Sequence, residues 1–405
     1  MLFRSRLTVN GVFDTPGTLN VGYDGSGNRL GVASSGSASA GNLWIGGFGS
    51  SANNTVTVLA NARLAATSSL IVGYAGDTNQ IEVVGRATSS TTVLGYDAGA
   101  DGNVAIVSAG GLWTNAGPLT VGRVGSGNSF QITSGTLTVT GTANDVVVGD
   151  DAASGGNGIV LVGGSFSSQA ALVIGKSGTG NTFSATGGAK VSNANVRFGL
   201  NPSSTGNSGT VDGAGTVWTI TNKLRVGSAG GGNALAITGG GVVNVASDVF
   251  VGGTSTSSAV SGNAITVSGS GSKLAILSGT ADLVIAYGTG TANVVTVADG
   301  GDLAVSSVKL GPGGTLKVGA GAAPGTITSS ALIEAAFGGD VVLDHSSAGY
   351  TLANAISGQA RVTQQGSGKT ILSGSNTYSG ATTVAAGTLA LAAPSNNIAS
   401  SGLID

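Results

Sequence analysis

Short runs of apolar residues, each closed by glycine, recur along most of the chain. One reads Leu19-Asn-Val21-Gly22, the next Leu43-Trp-Ile45-Gly46, then Leu70-Ile-Val72-Gly73. The form continues at Thr92–Gly95, Leu119–Gly122, Val146–Gly149, Leu172–Gly175, Val196–Gly199, Leu224–Gly227, Val249–Gly252 and Val308–Gly311. Leu283-Val-Ile285 fits with Ala286 in the glycine place. The closing residues recur with a period of about 26, in the range where repeats stack into solenoids or arrays.

A second landmark keeps step with the first. An Asn, usually after Gly, opens a strand of strict alternation, as in Asn128-Ser-Phe130-Gln-Ile132, Asn233-Ala-Leu235-Ala-Ile237 and Asn263-Ala-Ile265-Thr-Val267. Asn28, Asn54, Asn79, Asn103, Asn157, Asn181, Asn207 and Asn293 hold the same phase. A third strand follows a Gly-rich corner, as in Gly135-Thr-Leu137-Thr-Val139. One unit therefore predicts three short strands of period two, each with one face inward, joined by Gly, Asn and Ser turns. Gly and Asn tolerate the positive φ that tight corners require. Such a unit cannot bury its apolar face alone. Stacked in register at about 4.8 Å per coil, some fifteen units would form a rod of roughly 70 Å. The expected fold is all-β, a parallel β-helix. The rival, a meander or sandwich, does not require one long period of fixed phase.

Composition supports this picture. Gly supplies 74 of 405 residues, while charged residues are 8% and aromatics 4%. Ordinary globular domains carry about 25% charged residues. The filler of Ala, Ser, Thr, Val and Asn favours strands and turns over helix. Hydrophobic residues reach 40%, so a core can be buried and the chain is not disordered by composition. The glycines follow no collagen-like triplet, and no apolar run approaches the roughly 18–20 residues of a membrane helix. Sixteen basic and 18 acidic residues give a net charge of −2 without a basic patch, so no nucleic-acid partner is expected. Cysteine is absent, which excludes disulfides and thiolate metal sites.

The pattern changes near Gln364. It becomes Gly366-Ser-Gly368-Lys-Thr-Ile-Leu-Ser-Gly374-Ser-Asn376-Thr-Tyr378-Ser-Gly380-Ala-Thr-Thr-Val384-Ala-Ala-Gly387-Thr-Leu389-Ala-Leu391. This resembles the autotransporter-associated β-strand repeat in its G-x-G, G-x-N-x-Y-x-G and G-x-L elements. The coils between about 15 and 320 are more loosely similar to passenger regions of the same surface proteins. The resemblance implies a secreted, right-handed β-helix at the bacterial cell surface, carried outward by a C-terminal membrane barrel. No strand series of barrel type follows residue 391, so no membrane insertion is expected of this fragment. The expected organisation is a start at 1–14, regular coils at 15–320, degenerate coils at 321–360, the distinct repeat at 361–391 and a truncated coil at 392–405. Met1-Leu-Phe-Arg-Ser5 has no signal-peptide core and reads as an adapter-derived tail. Ser400–Asp405 stops within the pattern, as expected of an interior piece of a longer protein.

The expected role is an extracellular structural or adhesive stalk rather than an enzyme, with no cofactor and no metal. Its expected partners are host-surface or matrix glycans or proteins, or further copies of itself. The alternatives are a polysaccharide-acting β-helix enzyme and a self-associating matrix or filament protein. The candidate chemical residues are few. Trp113 and Trp218 lie nine positions before a closing Gly, where Phe166, Leu64 and Val243 also stand, so the place reads as core rather than as a sugar platform. The Asn series lacks the carboxylates of a calcium β-roll and reads as a hydrogen-bonded ladder. Gly366–Thr370 lacks the full phosphate-loop pattern. His345, the single histidine, is flanked by Asp344 and Ser346, but strand neighbours point to opposite faces, so a surface loop is expected. Asp150-Asp151, with Asp97 and Asp101 in a similar loop, is the one carboxylate grouping from which a site could be assembled across coils.

Overall fold

The computed structural model describes residues 5–143, 145–253, 255, 259–328 and 330–392. The adapter-like start, apart from Ser5, and all of the truncated last coil but Ala392 lie outside them. Among the described residues there is no helix. All strand pairs formed by successive coils are parallel. The fold is a parallel β-helix, as the period predicted. The chain divides into two compact units, residues 1–196 with 203–208, and residues 197–202 with 209–405.

In the first unit one face is a parallel sheet that takes one strand from each coil. Its order runs Arg6–Val9, Arg29–Val32, Thr55–Val58, Gln80–Val83, Val104–Ser108, Ser129–Thr133, Gly158–Val162, Thr182–Thr186. Register is strict: Val56 faces Ile81, Ile81 faces Ala105, Phe130 faces Ile159 and Ile159 faces Phe183. Alternation then sends all of these inward, where they are buried. Each fully buried Val, Leu, Ile or Phe contributes roughly 1.5–3 kcal/mol.

The other two faces differ along this unit. From Leu112 the second and third strands are separate, as Leu112–Asn115 and Leu119–Val121, then Thr136–Val139 and Val146–Val148. Before that they fuse into long bent strands: Val12–Val21, Ser37–Ile45, Arg63–Val72 and Arg86–Leu94. Register shifts between Thr15 and Thr18, Ala40 and Asn42, and Ala66 and Ser69 bend them. These corners are short and small, and a bulge turns the chain without breaking the ladder. Three strands per coil is thus the rule only where the corner lengthens.

The second unit repeats the plan. One face runs Ala234–Thr238, Ala264–Ser268, Asn293–Ala298, Gly314–Val318, Asp340–Leu343, Arg361–Gln364, Thr382–Val384. The third-strand face runs Leu224–Val226, Val249–Val251, Leu283–Ile285, Ser307–Leu310, Leu332–Ala335, Ile356–Gly358. From Tyr350 a separate sheet forms from Tyr350–Leu352, Lys369–Leu372 and Thr388–Leu391. Among the described residues coils are shortest here, with Lys369 pairing with Thr388 across 19 positions.

The two landmarks of the sequence meet at one corner. In the first unit the Asn54 backbone N–H and Nδ2 both donate to Asn79 Oδ1, at 3.0 and 2.9 Å. Asn79 does the same to Asn103, Asn103 to Asn128, Asn128 to Asn157 and Asn157 to Asn181. These side chains are wholly buried. Each amide therefore satisfies the backbone of the coil before it, which removes the cost of a buried unpaired donor. The closing glycine supplies the room. Gly73 has φ 74°, and a Cβ there would overlap the Asn103 amide; Gly122 stands in the same relation to Asn157. The second unit repeats the arrangement, with Asn233 donating to Asn263, Asn263 to Asn293, and Gly252 under Asn293. Gly and Asn share a period because each glycine seats the asparagine of the following coil.

Candidate functional site

The residue after the closing glycine points out of the coil, beside the outward middle residue of the third strand. In the first unit these positions gather rings. Trp44 stacks on Tyr74 with centroids 4.7 Å apart, Tyr74 stacks on Tyr96 at 4.7 Å, and the Arg123 guanidinium caps Tyr96 at 4.1 Å. All three rings are half-buried. Tyr74 and Tyr96 are covered on both faces, by neighbouring rings and by Arg123, so these two offer edges rather than platforms to a ligand, while Trp44 is covered on one face by Tyr74. Tyr23 and Phe48, 55% and 47% exposed, form an edge-to-face pair at 4.6 Å. Further along, Lys176 pairs with Asp150 at 2.7 Å.

The second unit carries a groove of about 280 Å³ lined by Val284, Tyr287, Lys309, Leu310, Gly311, Glu334, Ala336 and Phe337. Phe337 is 78% exposed and Tyr287 45%. Lys309 bonds Asp282 at 2.6 Å, which raises its pKa further and leaves it a fixed cation. This combination of two rings and fixed charges can hold an apolar or ring-faced group. The sequence signal for the first-unit rings was the Tyr that follows Gly22, Gly73 and Gly95. Tyr287 follows Ala286, which stands in the closing-glycine place, and so shares that signal, whereas Phe337 had none.

The other candidates are placed as follows. Trp113 and Trp218 are core residues. Trp113 Nε1 donates to Ser89 Oγ at 2.9 Å, inside a buried polar cluster completed by Thr92 and Asn115. The four loop acids are engaged locally. Asp97 Oδ1 accepts from the Ala98 N–H, Asp101 Oδ1 from Ser126, and Asp151 Oδ1 from Ala153, while Asp150 holds Lys176. Among the described residues no group of three His, Cys, Asp or Glu is placed to hold a metal ion.

His345 is not in a surface loop: its ring is buried. Gly366 and Gly368 of the next coil lie directly on it, and a Cβ on either would overlap it. Burial lowers the imidazole pKa from its ordinary 6.5, with Asp344 acting weakly in the other direction. Asp344 pairs with Lys317 at 2.8 Å and Ser346 Oγ donates to the Ala322 carbonyl, so the three adjacent residues make no triad. Thr370 is buried in the strand Lys369–Leu372, with no helix after it, so Gly366–Thr370 is not a phosphate loop.

The distinct repeat explains itself residue by residue. From Arg361 to Tyr378 every second residue is buried, through two corners, without a break in alternation. Gly366, Gly368 and Gly374 occupy the inward corner positions, where a Cβ would strike the coil below. Asn376 Oδ1 accepts from the Ile356 N–H at 2.9 Å, and its Nδ2 donates to the Gly374 carbonyl at 3.0 Å. Tyr378 is wholly buried and its hydroxyl meets Thr382 Oγ1 at 2.9 Å. Burial raises the Tyr378 pKa, and pushes that of Tyr350 up to about 12.

The chain is thus a parallel β-helical repeat protein with a distinct repeat at its far end. A family model described as passenger-associated-transport-repeat matches residues 362–391, so the chain carries a repeat of autotransporter passenger regions. No curated protein matches the chain. Among solved structures, a TibC-hyperglycosylated fragment of TibA, residues 55–350, is 14% identical. That match covers 99% of this chain and 94% of that one, with a TM-score of 0.31.

Proposed function

We propose that this chain is part of the extracellular stalk of a bacterial autotransporter-type surface protein, with an adhesive rather than a catalytic role. The observation that carries the reading is the passenger-associated transport repeat at 362–391. Its signature residues serve coil packing and corner hydrogen bonds, as an architectural part would. Supporting it, the loop acids that an enzyme would need are held in local caps and one ion pair. Contacts to glycan or protein would fall on the exposed rings Tyr23, Phe48, Tyr287 and Phe337, the side chains best suited to weak multivalent binding.

The test is a screen of the purified chain against glycan arrays, immobilised matrix proteins and soluble polysaccharides. Binding weakened by Phe337→Ala or Phe48→Ala, without turnover, is the expected result. Polysaccharide cleavage that disappears in Asp150→Asn or Asp151→Asn would make the chain an enzyme. Sedimentation that grows with concentration, with no surface binding, would favour a self-associating filament.

A further inference from the structure

The chain has one histidine, and its protonation state can be read from its neighbours. His345 Nε2 lies 2.8 Å from Thr370 Oγ1, and Thr370 Oγ1 donates to Gln364 Oε1 at 2.7 Å. The orientation of Gln364 is fixed because its Nε2 donates to the carbonyls of Gly366 and Gly368 at 2.9 and 3.3 Å. A threonine hydroxyl has one proton. Here that proton goes to Gln364, so toward His345 the hydroxyl can only accept. Nε2 therefore carries the ring proton and Nδ1 is a bare lone pair. Nδ1 is buried without a hydrogen-bond partner and faces Gly368, where a Cβ would overlap it.

Among the described residues no side chain beside the ring is free to pair with a second proton. Asp344 is held by Lys317, Lys369 is exposed, and Tyr350 presents its ring edge-on at 5.2 Å. Thr370 and Gln364 are already committed to the chain of bonds just described.

We propose that His345 is a proton-operated latch on the transport-repeat coil. Neutral and protonated at Nε2, it closes the corner between Asp344 and Leu372. A proton taken up at Nδ1 creates a buried N–H⁺ with no acceptor, and the coil opens to release it. The Asn stacks contain no titratable group in their hydrogen-bond chain, so their corners stay shut under the same change. The latch is independent of what the chain binds.

The sign follows from linkage. Burial holds the folded pKa below the ordinary 6.5, so the unfolded chain binds the proton first. The latch contributes fully above pH 6.5 and weakens as pH falls toward the folded value. One proton taken up on opening raises the opening constant by about tenfold per pH unit in that window.

The experiment uses the full chain, ¹⁵N-labelled. Two-bond ¹H–¹⁵N correlation reads the tautomer and titration of the single ring, and hydrogen exchange, corrected for its intrinsic pH dependence, reads coil opening from pH 7.5 to 4.5. The expected result is the Nε2–H tautomer at neutral pH. Exchange in residues 344–372 should accelerate on acidification by up to about tenfold per unit, with no change at residues 103–181. His345→Gln retains a side-chain donor for Thr370 and cannot titrate, so the acid step should vanish. An Nδ1–H tautomer overturns the proposal. So does a ring that titrates at 6.5 with unchanged exchange, which decides the matter even if the variant does not fold.

Discussion

The Asn-stacked coils and the coils around the transport repeat solve one problem by different means. Both must turn a corner that is lined with buried polar groups. Between Asn54 and Asn181 the solution is one side chain repeated, each amide serving the coil before it. From Asp344 to Thr382 it is a mixed set: Asn376 accepts a backbone N–H, Gln364 and Asn354 donate to backbone carbonyls, and His345–Thr370–Gln364 and Tyr378–Thr382 bond side chain to side chain. A repeated solution makes coils interchangeable and indifferent to pH. A mixed one makes the coil individual, and ties it to a titratable ring. In both regions glycine at the inward corner lets successive coils close, Gly73 under Asn103 and Gly368 over His345.

The largest expected effect tests what the two regions share. Trp113 and Tyr378 are among the largest fully buried side chains, one in each region. Trp113→Ala and Tyr378→Ala should each cost roughly 3–5 kcal/mol in urea unfolding. A cost below about 1 kcal/mol for either would mean that its region lacks a packed core.

The next effect belongs to the Asn stack alone. Asn103→Ala leaves the Asn79 N–H and Nδ2 without their acceptor and should cost roughly 1–3 kcal/mol. Gly73→Ala forces a residue with a Cβ to φ 74°, also worth roughly 1–3 kcal/mol, and displaces the amide. Because the two residues touch, the double variant should cost clearly less than the two singles together, measured by the same unfolding curves. Strict additivity would mean that glycine and asparagine share a period for unrelated reasons.

The smallest effect sharpens the other side. Tyr378→Phe keeps the ring and removes the hydroxyl that meets Thr382, so a loss of about 1 kcal/mol is expected. A loss as large as that of Tyr378→Ala would show that the hydroxyl, not the ring, holds the repeat.

The same contrast decides what could be read in advance. The period, the inward alternation and the Asn ladder were legible because one contact recurs in every coil and prints itself on the sequence. Trp113 and Trp218 could be placed as core because Leu64, Phe166 and Val243 share their phase. His345 was misplaced because its burial comes from two glycines more than 20 residues on, which no local pattern around it records. The fused second and third strands before Leu94 were missed because a bulge needs no special residue. The outer rings were half legible. Tyr after the closing glycine recurs three times, but its stacking on Trp44 depends on register between coils.

The central claim is that coils stack in strict parallel register. The chain has no cysteine, so spin labels sit only where they are placed. Thr57 faces Glu82, Glu82 faces Ile106, Ile106 faces Gln131, Gln131 faces Val160 and Val160 faces Ser184. Five steps separate the outward positions Thr57 and Ser184, and at about 4.8 Å each they span about 24 Å of backbone. Pulsed electron–electron resonance on Thr57→Cys/Ser184→Cys should give one narrow peak at that separation, lengthened only by the labels, with Thr57→Cys/Val160→Cys about 5 Å shorter. A broad distribution, or two pairs that do not differ by one strand spacing, would contradict the stacked β-helix.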